Sequence, residues 1–277
     1  MKARNRIRVL RAFGPVVLCC VLTVPAACGG GGSTTTSSTS PSPAPTTPVA
    51  AACGAIGGQT VQIVNGSGCN AATGSVVLLN MKDADGLQLG SCSGTVIAAR
   101  AVLTAAHCLE SGTASVKVFP GTGDQIASQS FAHHPSYNPS DNTSFDVGVV
   151  LTTDDIGRPA VPLLLSRDAR VGETAVIAGW GKDQNQITAT LRAGSATITA
   201  VSSLLVQTEY TSNFSSVCQG DSGGPLLLQE GGTWAIAAVI SANSTLACSF
   251  GTNYFANLRN PDISAFIASQ VPGISRR

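Results

Sequence analysis

The sequence predicts an all-β protein from about residue 63 onward. Charged residues make up only 11% of the chain, and glycine, which forms tight turns, occurs 30 times. Apolar and polar residues alternate in short runs, for example over residues 113–119 and 188–201, as they do in half-buried strands. Residues 63–277 also form a segment long enough for one all-β domain.

The first residues predict an export signal. Five basic residues precede an apolar stretch over residues 14–27, which is too short to cross a bilayer as a helix. The stretch ends at Cys28, and four glycines follow. This ending resembles a bacterial lipoprotein signal with Cys28 as the acylated residue, and ordinary signal cleavage is the alternative. We therefore predict a signal peptide over residues 1–28 and an exported protein, either lipid-anchored at the cell envelope or secreted or periplasmic.

A flexible linker is predicted after the signal. Residues 29–49 consist largely of Gly, Ser, Thr and Pro, and they lack the apolar side chains that a core needs. Five of the 16 basic residues lie in the leader and none of the 15 acidic residues does, so the rest of the chain carries a net charge of −4. No basic stripe is present that would bind nucleic acid.

Residues 218–226, CQGDSGGPL, contain a candidate nucleophile, Ser222. A serine reacts at neutral pH only when a base removes its proton and donors stabilise the oxyanion that it creates. Gly220 lets the backbone turn so that its own N–H and that of Ser222 can point to one spot. Two hydrolase designs fit this string, because it also satisfies the G-x-S-x-G pattern of an α/β-hydrolase nucleophile elbow.

The order of the histidines decides between these designs. An α/β-hydrolase carries its histidine after the serine, whereas the other design runs His, Asp, Ser. All three histidines of the chain, His107, His133 and His134, precede Ser222, which excludes the elbow design. His133 and His134 lie in a polar segment rich in turn formers and are expected to be solvated. His107 ends an apolar, strand-like run over residues 102–108 and is the expected base.

The acid that orients this base should lie between His107 and Ser222 and be buried. Asp146 interrupts an otherwise apolar run over residues 144–152, where a lone carboxylate needs a partner. Four other acids of this interval lie in turn-like contexts and are expected on the surface, namely Asp141, Asp154, Asp155 and Asp168. The sequence therefore predicts Asp146 as the orienting acid.

Together these motifs resemble those of the chymotrypsin-like (trypsin-fold) serine proteases. The similarity rests on VLTAAHC at His107, on GDSGGP at Ser222 and on the apolar segment at Asp146. It extends to the Gly-Trp-Gly corner at residues 179–181 and to Ser241, where the family keeps a serine that bonds the triad aspartate and borders the S1 pocket.

The resemblance implies a fold and a set of roles. The fold consists of two six-stranded antiparallel β-barrels followed by a C-terminal α-helix. That helix is also predicted by the capping residue Asn260 before Pro261. The implied activity is hydrolysis of peptide bonds, with a triad and an oxyanion hole formed by backbone N–H groups. The triad would be His107, Asp146 and Ser222, and the oxyanion donors would be Gly220 and Ser222.

Six cysteines outside the leader predict three disulfides in an exported protein. The resemblance implies one bridge that holds the histidine loop and one that braces the S1 pocket, which leaves one remaining pair. No CxxC or clustered Cys/His spacing supports a zinc site, so we expect neither a metal nor a cofactor. The expected pairs are Cys92–Cys108, Cys218–Cys248 and Cys53–Cys69.

The segment that begins at Ile63, IVNG, resembles the mature N-terminus of this family. Cleavage there would free an α-amino group that pairs with the aspartate before the nucleophile, Asp221. The domain organisation is then a propeptide over residues 50–62 and a peptidase domain over residues 63–277. The activating protease stays unassigned.

The S1 residues are also transferred from the resemblance. Ser216 falls at the pocket base, where trypsin-like members carry an aspartate, and Asn243 falls at a wall position that is often glycine. With Ser241 these residues predict an uncharged P1 side chain, aromatic to small aliphatic. The expected partners are protein or peptide substrates of a monomer. The alternative is a catalytically inactive homologue that uses the same cleft for binding.

Overall fold

The computed structural model describes residues 67–277 except residues 111, 142–143, 184, 187, 189, 212–213 and 246–247. The predicted signal peptide, linker and propeptide, together with Cys28, Cys53 and Ile63, lie outside the described residues.

Thirteen strands form the framework of the described chain, and the alternation of residue types in their sequences explains why they form. In β5, for example, Val116 and Val118 are buried, whereas Ser115 and Lys117, which alternate with them, are only partly buried. The strands are β1 (Ser67–Gly68), β2 (Val76–Lys82), β3 (Gln88–Ala98), β4 (Ala101–Thr104), β5 (Ser115–Phe119), β6 (Ile126–His133), β7 (Gly148–Thr152), β8 (Thr174–Gly179), β9 (Arg192–Val201), β10 (Leu205–Glu209), β11 (Pro225–Glu230), β12 (Thr233–Asn243) and β13 (Thr252–Asn257).

These strands form two antiparallel barrels, as predicted. The first is closed in the order β2-β3-β4-β7-β6-β5. The second follows the order β9-β10-β13-β12-β11-β8, is closed by pairing of β8 with β9, and carries the short β1 on β9. The six-stranded, chymotrypsin-like fold predicted from the resemblance is confirmed.

The predicted α-helix, α1 (Pro261–Gln270), follows the last strand. The side chain of Asn260 caps it by accepting hydrogen bonds from the N–H groups of Asp262 at 3.0 Å and Ile263 at 3.2 Å. Ile263 and Ile267 lie on its buried face. Among the described residues, no helix has the length and apolar character that crossing a membrane would require.

The prediction of two solvated histidines is wrong for His134. Its ring is buried, stacks on Phe145 with centroids 4.7 Å apart, and meets the edge of Phe266 in α1 at 5.3 Å. Burial lowers the pKa of this imidazole, although a hydrogen bond to the backbone of Asp262 opposes the shift. Its aromatic neighbours are distant in sequence, so the local polar context gave no sign of burial. His133 is exposed, as expected.

We predict that Asn260→Ala lowers the free energy of unfolding by about 1 kcal/mol, because two N–H groups in the first turn of α1 lose their acceptor. Urea unfolding followed by circular dichroism measures this loss. Asn260→Ser keeps a capping oxygen and serves as the matched control, so equal losses in the two variants would contradict the role assigned to the cap.

Candidate active site

His107 lies at the end of the first barrel, in a single 3-10 turn (Ala106–Leu109) that follows β4. The neighbouring Cys108 is bonded to Cys92 in β3, which ties this turn to the barrel wall. The imidazole itself is one-quarter exposed. One edge of the ring is therefore accessible, while the backbone that carries it is held in place.

Asp146 lies just before β7, and its carboxylate is fully buried. One oxygen, Oδ1, accepts a hydrogen bond from the backbone N–H of His107 at 2.9 Å. The other oxygen, Oδ2, lies 2.8 Å from Nδ1 of His107 and accepts a hydrogen bond from the Ser241 hydroxyl at 2.6 Å. An ionised carboxylate has no proton to donate and can only accept hydrogen bonds. We therefore place the proton of the neutral His107 ring on Nδ1, which leaves Nε2 as an acceptor.

The pKa of His107 is raised above its ordinary value of 6.5. Burial alone would lower it, but the hydrogen bond and negative charge of Asp146, with a further contribution from Glu110, outweigh that effect. An imidazole held in this way binds a proton readily and keeps one orientation while doing so.

Ser222 lies in the loop that leads into β11, and this loop is positioned through its backbone. The Ser222 carbonyl accepts a hydrogen bond from the N–H of Ser93 at 2.8 Å and lies 4.0 Å from Sγ of Cys108. The next N–H, that of Gly223, donates to Ile240, the residue before Ser241, at 2.8 Å. The loop therefore lies between the turn of His107 and the strand that supports Asp146.

Gly223 has to be glycine for this approach. Its φ is +83°, and a Cβ atom there would overlap both the Thr104 hydroxyl and the Ser93 carbonyl. Because glycine has no Cβ atom, the loop of the second barrel can approach the backbone of β3 and β4 closely.

Asp221, which precedes Ser222, is a second buried carboxylate. Its oxygens accept hydrogen bonds from the N–H of Gly181 at 2.8 Å and of Cys218 at 2.9 Å. A Cβ atom at Gly179 or Gly181 would strike this carboxylate. Burial raises the pKa of Asp221 to about 7, although the two N–H groups and the positive charge of Arg192 lower it. The predicted partner, the amino group of Ile63, lies outside the described residues.

A cavity of about 120 Å³ opens beside Ser222. Two of the predicted S1 residues, Ser241 and Asn243, line it, and no charged side chain does so among the described residues. Ser216 lies behind the lining, where its buried hydroxyl bonds Oδ1 of Asn253 at 3.0 Å. Disulfide Cys218–Cys248 borders the cavity, as the resemblance implied.

Asn253 belongs to this region, although sequence reasoning missed it. It is fully buried in β13, and its Oδ1 accepts a hydrogen bond from the Asn243 side chain at 2.7 Å. Its amide nitrogen donates to the hydroxyl of Thr208 at 3.1 Å. An amide inside a mainly apolar strand was the available signal, but nothing in the sequence indicated which groups it would meet.

The described residues contain one group of potential metal ligands near the site, formed by Cys92, His107 and Cys108. The two sulfur atoms are joined to each other in a disulfide, so neither is available as a thiolate ligand. Cys69 is also disulfide-bonded, while its expected partner Cys53 lies outside the described residues.

A family model described as Trypsin matches residues 63–259. The chain belongs to the trypsin family. It is 33% identical over 169 residues to a chymotrypsin of Phaedon cochleariae, a match that covers 50% of this chain and 60% of that protein. It is 29% identical over 193 residues to chymotrypsin-like elastase family member 1 of Bos taurus, covering 57% of this chain and 70% of the bovine protein.

A solved structure of HL collagenase shares the trypsin-family fold with this chain. The TM-score is 0.64 at 22% identity, over 75% of this chain and 98% of the collagenase. Several curated relatives are matched over less than two thirds of their length, such as the Phaedon protein and, at 65%, a trypsin of Simulium vittatum.

The raised pKa of His107 predicts a pH dependence for Ser222. The imidazole accepts a proton only when neutral, so reaction of Ser222 with a fluorophosphonate should slow as pH falls through a value above 6.5. The Asp146→Asn substitution removes the charge that raises the pKa of His107. The inflection in the plot of inactivation rate against pH should therefore move to lower pH, and the rate should fall by about 10⁴-fold. Inactivation rates between about pH 5 and pH 9 measure both effects.

The matched control is Asp85→Asn, because Asp85 is an exposed acid on the β2–β3 turn. An inflection that Asp85→Asn moves as far as Asp146→Asn does would contradict the assignment, as would a wild-type inflection at or below 6.5.

Proposed function

We propose that this chain is a serine endopeptidase. The observation that carries the proposal is the buried carboxylate of Asp146, aligned on Nδ1 of His107 at 2.8 Å beside the loop of Ser222. A carboxylate in this position keeps the proton on Nδ1 and offsets the charge that the ring gains during the reaction.

In the proposed mechanism Ser222 attacks the carbonyl carbon of the scissile peptide bond. His107 takes the serine proton on Nε2 and passes it to the leaving amine, which yields an acyl-enzyme. A water molecule then attacks the ester, again with His107 as base, and the acid product and free Ser222 result. The N–H groups of Gly220 and Ser222 stabilise the oxyanion of both tetrahedral intermediates.

The polar network beside the cavity supports a preference for a small, uncharged P1 side chain. Asn243 extends its amide to Asn253 at 2.7 Å and toward Ser216 at 3.4 Å, while its oxygen accepts from the Thr245 N–H at 2.7 Å. These neutral groups satisfy one another and offer no counter-charge to Lys or Arg. The 120 Å³ of space is also below the roughly 150 Å³ of an enclosed cavity that takes up benzene.

Activation by cleavage before Ile63 forms part of the proposal. Asp221 is buried with a raised pKa, so its ionised form would gain from a nearby ammonium group. Cleavage after Gln62 would supply one, and a Cys53–Cys69 bridge would keep the propeptide attached. We further propose export by residues 1–28 with lipid attachment at Cys28, and a flexible tether over residues 29–49.

We predict that a fluorophosphonate labels the active chain at Ser222 and at no other serine. Ser222→Ala should abolish labelling, and His107→Ala should slow it by at least about 10³-fold, because the serine then has no base. Intact mass and peptide mapping give the modified residue. Absence of labelling in a folded chain would instead support the inactive binding homologue.

We predict that Asn243→Gly increases cleavage after Phe and Leu relative to Ala by about 10-fold or more, because a side chain that lines the cavity is removed. A peptide library that varies only at P1 measures this ratio. Asn138→Gly, on an exposed turn, is the control. A wild-type preference for Lys or Arg would contradict the proposed specificity.

We predict two different N-termini for the precursor and the active form. Mass spectrometry should find the exported precursor starting at acylated Cys28 and the active peptidase chain starting at Ile63. Cys28→Ser should remove the lipid without altering the second terminus. An active chain that starts at any other residue would refute the activation site.

A further inference from the structure

Ser93 is a buried residue of β3 whose contacts reach both barrels. It follows Cys92, and no part of it is exposed to solvent. Its hydrogen bonds lead to the loop of Ser222, to the Trp180 corner and to the end of β4.

Two carbonyl groups of the Ser222 loop accept hydrogen bonds from Ser93. The backbone N–H donates to the carbonyl of Ser222 at 2.8 Å, and the hydroxyl donates to the carbonyl of Gly220 at 2.8 Å. These carbonyls flank Asp221, whose carboxylate is held separately by two N–H groups. Residues 220–222 are thus held at each of three successive positions, and Ser93 provides two of these attachments.

The direction of the Ser93 hydroxyl is itself determined. The N–H of Trp180 donates to its oxygen at 2.8 Å, so the hydroxyl proton is left for Gly220. The carbonyl of Ser93 accepts a hydrogen bond from the hydroxyl of Thr104, three residues before His107, at 2.8 Å. By contrast, the buried hydroxyls of Ser75 and Thr95 in the same barrel have no hydrogen-bond partner among the described residues.

We propose that Ser93 is a positioning residue for the oxyanion hole, an inference that rests on the proposed peptidase function. A peptide unit is planar, so its N–H and C=O turn together, and φ and ψ are the only soft rotations between units. The Gly220 carbonyl belongs to the same unit as the Asp221 N–H, and the Ser222 carbonyl to the same unit as the Gly223 N–H. Fixing both carbonyls therefore holds the units on either side of the one that carries the Ser222 N–H, and it holds the unit next to the one that carries the Gly220 N–H. The directions of both donors are restricted as a result. Donors that are already aligned stabilise the developing oxyanion without reorganisation.

The test is Ser93→Ala in the full-length chain and its active form. Hydrolysis of a peptide p-nitroanilide with alanine at P1 should lose about 10- to 100-fold in kcat with KM changed less than about twofold. Affinity for the corresponding peptide aldehyde, which forms a tetrahedral adduct with an oxyanion, should fall by the same factor as kcat. A defect in folding alone would lower the active fraction, which titration of Ser222 corrects for, and would leave aldehyde affinity unchanged.

The control is Ser128→Ala, which likewise removes a hydroxyl that accepts a backbone N–H, that of Val116 at 3.0 Å, in the first barrel. It should leave kcat and aldehyde affinity unchanged. Should Ser93→Ala fail to fold, Ser93→Gly replaces it, because it removes the same hydroxyl and places no apolar methyl group between the Trp180 N–H and the Gly220 carbonyl. The proposal is overturned if neither Ser93 variant lowers kcat and aldehyde affinity more than Ser128→Ala does.

Hydrogen exchange of residues 218–223 in the uncut chain provides a readout that does not depend on activity. Exchange should be faster in the Ser93 variant than in wild type and Ser128→Ala, and equal rates would overturn the inference. If the wild-type chain cut before Ile63 fails to react with a fluorophosphonate while this difference in exchange is present, the peptidase function is refuted and the positioning of the loop by Ser93 is not.

Discussion

The site depends on one physical constraint, which is the complete burial of the Asp146 carboxylate. An ionised group is costly to bury unless hydrogen bonds and nearby charge replace its water. Three donors do so here, namely the backbone and the ring of His107 and the hydroxyl of Ser241. Because His107 belongs to the first barrel and Ser241 to the second, the hydrogen bonds that replace the water around this carboxylate also join the two barrels.

The two barrels contribute different kinds of groups. The first provides side chains, those of His107 and Asp146, on a turn and at the start of a strand. The second provides Ser222 and a loop whose backbone is held by hydrogen bonds to β3 and β12. Its Trp180 indole also donates to the carbonyl of Val76 in the first barrel at 3.0 Å. The site therefore forms only where the barrels are docked, which explains why its residues are far apart in sequence.

Local patterns were sufficient to predict several of the strands and the helix. Alternation identified β5 and β9, and Asn260 followed by Pro261 identified the start of α1. The acid and base could be chosen because His107 and Asp146 occur in apolar runs where such residues need a reason. The roles of Ser222 and of the two described disulfides came from resemblance to a known family rather than from physical pattern.

Long-range contacts were beyond such reasoning. His134 is buried because Phe145 and Phe266 enclose it, and Asn253 connects the cavity walls through partners up to 45 residues away. The buried pair of Arg192 and Asp183, 3.1 Å apart, likewise has no signature in the sequence. Each of these groups has an ordinary local context, and only the closed barrels determine what it meets.

The position of Asp221 depends partly on the lack of side-chain atoms at two neighbouring residues. Gly179 and Gly181 flank Trp180, and a methyl group on either would occupy the volume of the carboxylate. The two glycines therefore make room for an anion, a task distinct from bending the chain. A comparison of sequences by side-chain chemistry would give such positions little weight, although the smallest possible enlargement there would displace the carboxylate of Asp221.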